Sequence, residues 1–421
     1  MFKKVLVLLL AVVMVVGVLA SCAGTEVQKS AMSEDILPRN EVEKFTVGDD
    51  FKIGVICLHD ENSTYDLNFI NGINSVKTTL GLKDEQVIIK TGIDEGPVCK
   101  TTADDLVSQG CKIVFADSFG HEAYMIEAAK AHPDVQFCHA TGTKAHTEGL
   151  SNYHNAFASI YEGRYLAGIA AGMKLNQMIA DGKITAEAAI IGYVGAFPYA
   201  EVKSGLTSFF LGARSVCPTA TMKVRYTGSW YDQPKEQEAA NALINQDKCV
   251  LISQHADSLG APTACEVAGV PDVSYNGSTY DAGPNTFIIS SAINWAPYFA
   301  YIIKQVTDGN EIATDWTGDI STGSVVLTGI NTNVAAEGTE EAIKKAIAEF
   351  KAGTLHVFDT SKFTVNGEAL TTYLADVDDD GTFQGETEVV KDGYFHESEY
   401  RSAPYFDLNI DGITHYLDEA N

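Results

Sequence analysis

The sequence predicts an α/β protein of two lobes, each a mainly parallel sheet flanked by helices, followed by a C-terminal extension. Three observations carry this. From Phe51 onward, short apolar strand-like runs alternate with helix-period segments, the pattern of repeated βα units. The chain is 421 residues long, more than one domain usually takes. Beyond about Ala335 the pattern changes to one amphipathic helix, EEAIKKAIAEFKAG, and then to short strand-like runs with Asn-Gly and Asp-Gly turns.

Composition narrows the function. Apolar residues make up 45% and charged residues 20%, as in ordinary globular proteins. With 29 basic against 56 acidic residues the net charge is −27, which argues against nucleic acid and polyanionic ligands and leaves a neutral small molecule easier to accommodate.

The amino terminus departs from this acidity. Met1-Phe2-Lys3-Lys4 is a basic start, Val5 to Val18 an apolar stretch, and Leu19-Ala20-Ser21-Cys22 a close of small residues and a thiol, which reads as a secretion signal rather than a spanning helix. Leu-Ala-Ser-Cys resembles the lipobox of bacterial lipoproteins, and the resemblance implies a lipid anchor on Cys22. Two acyl chains there would hold the protein to a membrane stably. Removal of residues 1–21 would take Lys3 and Lys4 away and leave a charge of −27 − 2 = −29.

Seven cysteines remain, Cys57, Cys99, Cys111, Cys138, Cys217, Cys249 and Cys265, an odd number without metal-ligand spacing. Cys57, Cys111, Cys138 and Cys249 fall in apolar runs and read as small core hydrophobes. No metal and no cofactor are expected.

Taken in order, FKIGVICLHD is a strand with a polar end, followed by the loop Asp60 to Asp66 and a helix over about 65–80. Asp60 and Asn62 surround Tyr65 with hydrogen-bonding groups; the same loop also reads as a solvated helix start with Ser63 or Asp66 as N-cap. QVIIKTGI is a second strand, and Asp104 to Gly110 is helical. CKIVFADSFGHEAYMIEAAKAHPDVQFCHATGT reads strand, loop, helix, strand, with Ser118 and Phe119 in the turn. The amides of that helix start and the Ser118 hydroxyl can hold a polar ligand edge, or Ser118 can serve only as a cap. In Asn152 to Leu175 a run of Ala and Gly lets a helix approach its neighbours closely. The chain is expected to cross between lobes here, with Tyr161 lining the cleft and Arg164 paired to a local carboxylate.

Ala189 to Val194 is a strand, Gly195 to Tyr199 a turn, and a helix begins near Ala200. In an open α/β sheet such a turn lies at the carboxyl end of its strand, where ligands bind. Phe197 offers that site a flat apolar face, although an ordinary βα turn with a packed Phe has the same composition. MKVRYTGSWYDQPKEQEAANALINQ repeats the unit with Trp230 in its loop, and CVLISQHADSLGAPTACEVAG repeats it with His255 and Asp257 at the strand end. A histidine beside an aspartate can act as a general base, but catalysis also needs a nucleophile and an oxyanion site, for which the sequence has no motif. Hydrogen bonding and lobe closure are the preferred roles; an enzyme acting on a nucleoside or heterocycle through His255 and Asp257 is the alternative. In the tail, Asp376 to Gly381 mimics half of a calcium loop, yet position twelve is Thr387.

GYVGAFPYAEVKSGLTSFFLGARS, followed by GSWYD, QHADS and INWAPY in that order, resembles the basic membrane protein family of extracytoplasmic solute-binding lipoproteins, receptors for purine nucleosides and bases in ATP-driven importers. The resemblance covers about Lys52 to Ile330. It implies a type I periplasmic-binding fold, and stacking of Tyr65 and Trp230 on the two faces of a ligand ring. Asn276 stands where many members carry an aspartate for ribose, and Asn294, followed by Trp295, where nucleoside-binding members carry a lysine. Both changes favour a free purine base, or another flat heterocycle, over a nucleoside. The implied partner is the membrane permease of an ABC importer; a ligand sensor without transport is a further alternative. The expected layout is a signal peptide (1–21), lipid-anchored tether (22–45), lobe 1 (46–160), lobe 2 (161–285), a return to lobe 1 (286–335) and the extension (336–421).

Overall fold

Short apolar runs buried on both faces can be satisfied only inside parallel sheets covered by helices, and the computed structural model, which describes residues 31–377 and 386–417, contains two such sheets. Residues 1–30, with Cys22, and residues 378–381 of the acidic run lie outside the described residues.

The first sheet is built from β1 (Ile53–Ile56), β2 (Val87–Lys90), β3 (Ile113–Ala116), β4 (Gln136–Ala140) and β5 (Tyr153–Ala158), in the order β5-β4-β3-β1-β2, all parallel. Its connecting helices are α1 (Thr64–Leu80), α2 (Pro97–Ser108) and α3 (Glu122–Ala131). Ser63 caps α1 by accepting from the Asp66 amide, and Gly81, at φ 69°, closes it in the left-handed conformation that glycine favours. Pro97 opens α2 earlier than the apolar period suggests, because proline's missing amide costs nothing in a first turn.

After β5 the chain crosses into α4 (Ile160–Ala180), which packs against α5 (Ala200–Val216) at backbone distance. The second sheet takes β6 (Ile190–Gly195), β7 (Thr221–Tyr226), β8 (Leu251–His255), β9 (Asp272–Tyr275) and β10 (Phe287–Ile293), with α6 (Gln233–Asn245) and α7 (Gly260–Ala268) between them. The segment 286–335 is divided between lobes. β10 lies in the second sheet, α8 (Ala296–Asp308) packs on α1, β11 (Asp315–Gly318) joins β5 in the first sheet, and β12 (Val325–Leu327) returns antiparallel to β10. Residues 31–39, expected as part of a tether, run along this edge: Ser33 and Leu37 bond to Ile330 and Leu327, and the Arg39 guanidinium donates to Asn68.

The extension starts with α9 (Thr339–Lys351), packed on α4. Three two-residue ladders follow: β13 (Thr364–Val365) with β14 (Glu368–Ala369), β15 (Leu374–Ala375) with β16 (Thr387–Glu388), and β17 (Val390–Lys391) with β18 (Tyr394–Phe395). Asn366-Gly367 and Asp392-Gly393 turn two of these hairpins with positive φ at both residues, as tight hairpins require. The last strand, β19 (Ile413–Tyr416), adds in parallel to β7 at the edge of the second sheet. All seven cysteines of the described residues are free and buried, consistent with core packing.

Candidate functional site

The strand ends of both sheets face each other across a cavity of about 440 Å³. Lobe 1 contributes His59, Tyr65, Asp66, Ser118, Phe119 and Thr141; lobe 2 contributes Glu201, Trp230, His255, Asp257, Tyr275 and Asn276. A third wall comes from the extension, including Tyr373, Arg401 and Tyr405. At the rim, the half-exposed rings of Phe119 and Tyr199 meet across the lobes with centroids 5.6 Å apart.

The two aromatics from opposite lobes are held differently. Tyr65 sits in the first turn of α1, its hydroxyl donating to the Asp117 carbonyl at 2.8 Å and its ring set edge-on to Phe69 at 4.9 Å. Trp230 is steadied from behind by Phe197, edge-on at 5.0 Å, and Phe197 itself stacks on Tyr199 at 5.0 Å. The Trp230 carbonyl accepts the Asp257 amide at 3.0 Å, tying the two strand-end loops together.

The polar floor is a chain of donors and acceptors. Arg164 donates to the Tyr193 hydroxyl at 3.0 Å, that hydroxyl faces His255 Nδ1 at 3.4 Å, and His255 Nε2 meets Glu201 Oε1 at 2.8 Å. Asn276, at φ 65°, reaches toward Asp257 at 3.5 Å, while its own Oδ1 is buried with no hydrogen-bond partner among the described residues. Burial, followed by the neighbouring charges of Asp66, Glu236 and Glu201, pushes the Asp257 carboxyl well above the usual carboxylate range. The shift favours the protonated carboxyl, which can donate as well as accept. Below the floor, Cys57, Asp66 and Asp117 bring one ligand atom each within 4.8 Å. Burial raises both the Cys57 thiol and the Asp117 carboxyl, whereas for Asp66 the hydrogen bonds from His59 and Ser63 outweigh the burial penalty and keep it ionised.

Of the residues singled out from sequence, Tyr65, Ser118, Phe119, Trp230, His255, Asp257 and Asn276 line this one cavity. Asp60 and Asn62 do not; they are exposed and bond to each other at 2.8 Å across the loop tip. Phe197 forms the layer behind Trp230. Tyr161 is covered by the extension: its hydroxyl donates to the Glu397 carbonyl at 3.2 Å and its ring packs on Phe358. Asn294 sits at the crossing before α8, its Oδ1 accepting the Ala296 amide, and Trp295 stacks on Phe69 at 4.3 Å in the lobe 1 core. The carboxylate expected for Arg164 is replaced by carbonyl and hydroxyl acceptors and by the faces of Phe209 and Tyr275, each 4.9 Å away. Ser118 gives its hydroxyl to Glu95 at 2.5 Å and its amide to His121 Nδ1 at 3.4 Å, so both of its donors have partners within lobe 1.

Sequence reasoning missed Glu201 and Tyr275, named Asp66 only as a cap and Asp376 only in the calcium-like run, and missed the other residues of the third wall. Glu201 was findable, since it stands in the first turn of the helix that follows the Gly195 to Tyr199 loop.

The family described as ABC transporter substrate-binding protein, PnrA-like, matches residues 59–353. A putative glucose-binding protein of an ABC transporter from Haloferax volcanii is 35% identical over 60% of the chain, and the match spans 62% of that protein's length. A purine-binding protein of Brucella abortus is 32% identical over 71% of the chain and 85% of its own length. Among solved structures, an ABC transporter solute-binding protein from Conexibacter woesei superposes with a TM-score of 0.59 at 18% identity, covering 73% of the chain and 98% of that protein, a likeness of fold.

Proposed function

We propose, from the premise that this chain belongs to the PnrA-like substrate-binding protein family of ABC transporters, that it captures a purine base between its lobes outside the cell membrane and delivers it to a permease. The observation that carries the reading is that Tyr65 and Trp230, rooted in different lobes, line one cavity with a floor of paired donors and acceptors. A planar heterocycle suits that arrangement, because each ring face gains about 0.5–1.5 kcal/mol beyond burial from an aromatic partner. The exposed edges of a purine carry both donors and acceptors, which the Asp257 carboxyl can answer.

The free base is favoured over the nucleoside. Asn276 replaces the aspartate that the family resemblance assigns to ribose, and Asn294 is spent at the lobe crossing. A carrier role is preferred to catalysis because both ring nitrogens of His255 face fixed partners, Glu201 and Tyr193. Calorimetry with adenine, adenosine and glucose tests the reading: adenine is expected to bind more tightly than adenosine, and binding of glucose alone would refute it. Lipid attachment at Cys22 belongs to the same reading; Cys22→Ala should move the protein from the membrane to the soluble fraction, and unchanged fractionation would remove the anchor.

A further inference from the structure

The third wall of the cavity lies C-terminal to the segment that matches the family, and it is fixed to both lobes. On lobe 1, the Ser402 amide donates to Asp315 Oδ1 at 2.8 Å and the Thr317 hydroxyl lies 3.4 Å from the Ser398 carbonyl. On lobe 2, Lys203 Nζ donates to the Asp407 carbonyl at 2.8 Å, and β19 pairs with β7. A segment tied on both sides in this way is a built part of the site rather than a passing tail.

Within this wall Arg401 is 8% exposed and lines the cavity. Its Nε donates to the Ala403 carbonyl and its Nη2 to the Pro404 carbonyl, both at 3.1 Å. These bonds to its own loop hold the guanidinium plane in place, and among the described residues Nη1 has no such partner. A buried guanidinium with an uncommitted donor gains most from an acceptor oxygen on whatever fills the space. The opposite walls carry Asp66 and Glu201, and the third wall itself carries Asp376 and Asp407. An anionic group on the ligand would face these carboxyl groups, so a neutral oxygen is the better match.

We propose that Arg401 is a specificity-determining residue, donating from Nη1 to a neutral carbonyl oxygen carried by the ligand, so that the extension makes the site prefer an oxo-substituted heterocycle to its amino analogue. This rests on the reading of the cavity as a site for a purine base. Hypoxanthine and adenine differ along one edge, an oxo group beside a ring N–H against an amino group beside a bare ring nitrogen, and serve as the probes.

Titration calorimetry of the full chain and of Arg401→Met, which keeps the stem and removes the donors, separates the possibilities. The expected result is that hypoxanthine binds the native protein more tightly than adenine, and that Arg401→Met weakens hypoxanthine about tenfold or more while changing adenine less than about threefold, as loss of one charge-assisted hydrogen bond predicts. Retained adenine binding in the variant shows that the cavity is intact. An equal loss for both ligands would make Arg401 a structural support only, and no loss for either would detach the extension from recognition; each overturns the proposal while leaving the purine reading standing. Failure of the native protein to bind either ring would instead overturn the purine reading, and this inference with it.

Discussion

The backbone amide of Thr64, at the head of α1 in lobe 1, donates to the carbonyl of Asp257 in lobe 2 at 3.0 Å, and the Thr64 hydroxyl approaches the same oxygen at 3.2 Å. With Asn68 Nδ2 donating to the Asn276 carbonyl at 2.7 Å, it clasps the lobes directly beside the cavity. Binding proteins gain closure from contacts that exist only when both lobes meet. Thr64→Pro abolishes this clasp, since it removes both the amide and the hydroxyl donor and turns its Cδ toward the Asp257 carbonyl; proline is accepted at the first position of a helix, and Ser63 before it already has the extended conformation that a following proline demands. The helix should persist while ligand dissociation accelerates by about tenfold or more, as loss of both donors to the Asp257 carbonyl predicts. Stopped-flow release measurements giving the native rate would show that the clasp does not hold the ligand.

Trp230 is the flat wall of lobe 2, and Phe197 and Tyr199 keep it from turning away. Trp230→Ala should reduce purine affinity at least about tenfold, since it removes both the stacking face and the burial it provides. An unchanged dissociation constant in calorimetry would eliminate the clamp.

The alternation of strand and helix was readable because each βα unit declares itself within some thirty residues, and the helix after the Gly195 to Tyr199 loop begins at Ala200 as its composition predicts. The hairpin turns at Asn366 and Asp392 were readable for a similar reason, since few dipeptides tolerate two positive φ values. What escaped is long-range. Nothing local in residues 398–405 shows that they meet β11 and complete a cavity whose other walls lie far back in the chain. Tyr161 misled because its place at the lobe crossing suggests a cleft residue, whereas Glu397 and Phe358 of the extension cover it. Asn294 and Trp295 misled in the opposite sense: they follow a strand end, but α8 turns them toward the crossing and the lobe 1 core.

The small residues of α4 have a consequence for stability. A Cβ on Gly212 of α5 would lie 2.0 Å from the Tyr165 carbonyl oxygen, and one on Gly168 of α4 would lie 2.1 Å from the Phe209 carbonyl oxygen. Both obstacles are helix backbone, which cannot give without moving a whole helix. Gly212→Ala is therefore expected to destabilise by about 1–3 kcal/mol, although alanine is the better helix former in isolation. Gly277→Ala, where a Cβ meets nothing within 4 Å and φ is not positive, is the control. Urea denaturation showing equal midpoints for the two variants would mean that α4 and α5 do not pack at backbone distance.

The third wall should also respond to pH. Glu397 accepts the Tyr405 and Phe406 amides at 2.7 and 2.9 Å, yet burial dominates and pushes its carboxyl up to about 7. A carboxyl whose folded value lies above its ordinary one binds its proton more tightly in the fold, so its contribution is present in full below about 4.5 and is lost as pH rises through about 7. Ionisation then places a charge inside the loop that carries Arg401, at a cost of roughly 1–3 kcal/mol. Burial likewise raises Glu162 and Glu236 to about 7, so the native protein alone cannot isolate the effect. Glu397→Gln cannot ionise but keeps an acceptor oxygen for only one of the two amides, which lowers its stability at every pH; between pH 5.5 and 8.5 its melting temperature should still fall less than that of the native protein. Equal falls in both would show that Glu397 does not titrate in this range, and that the wall stands independently of its proton.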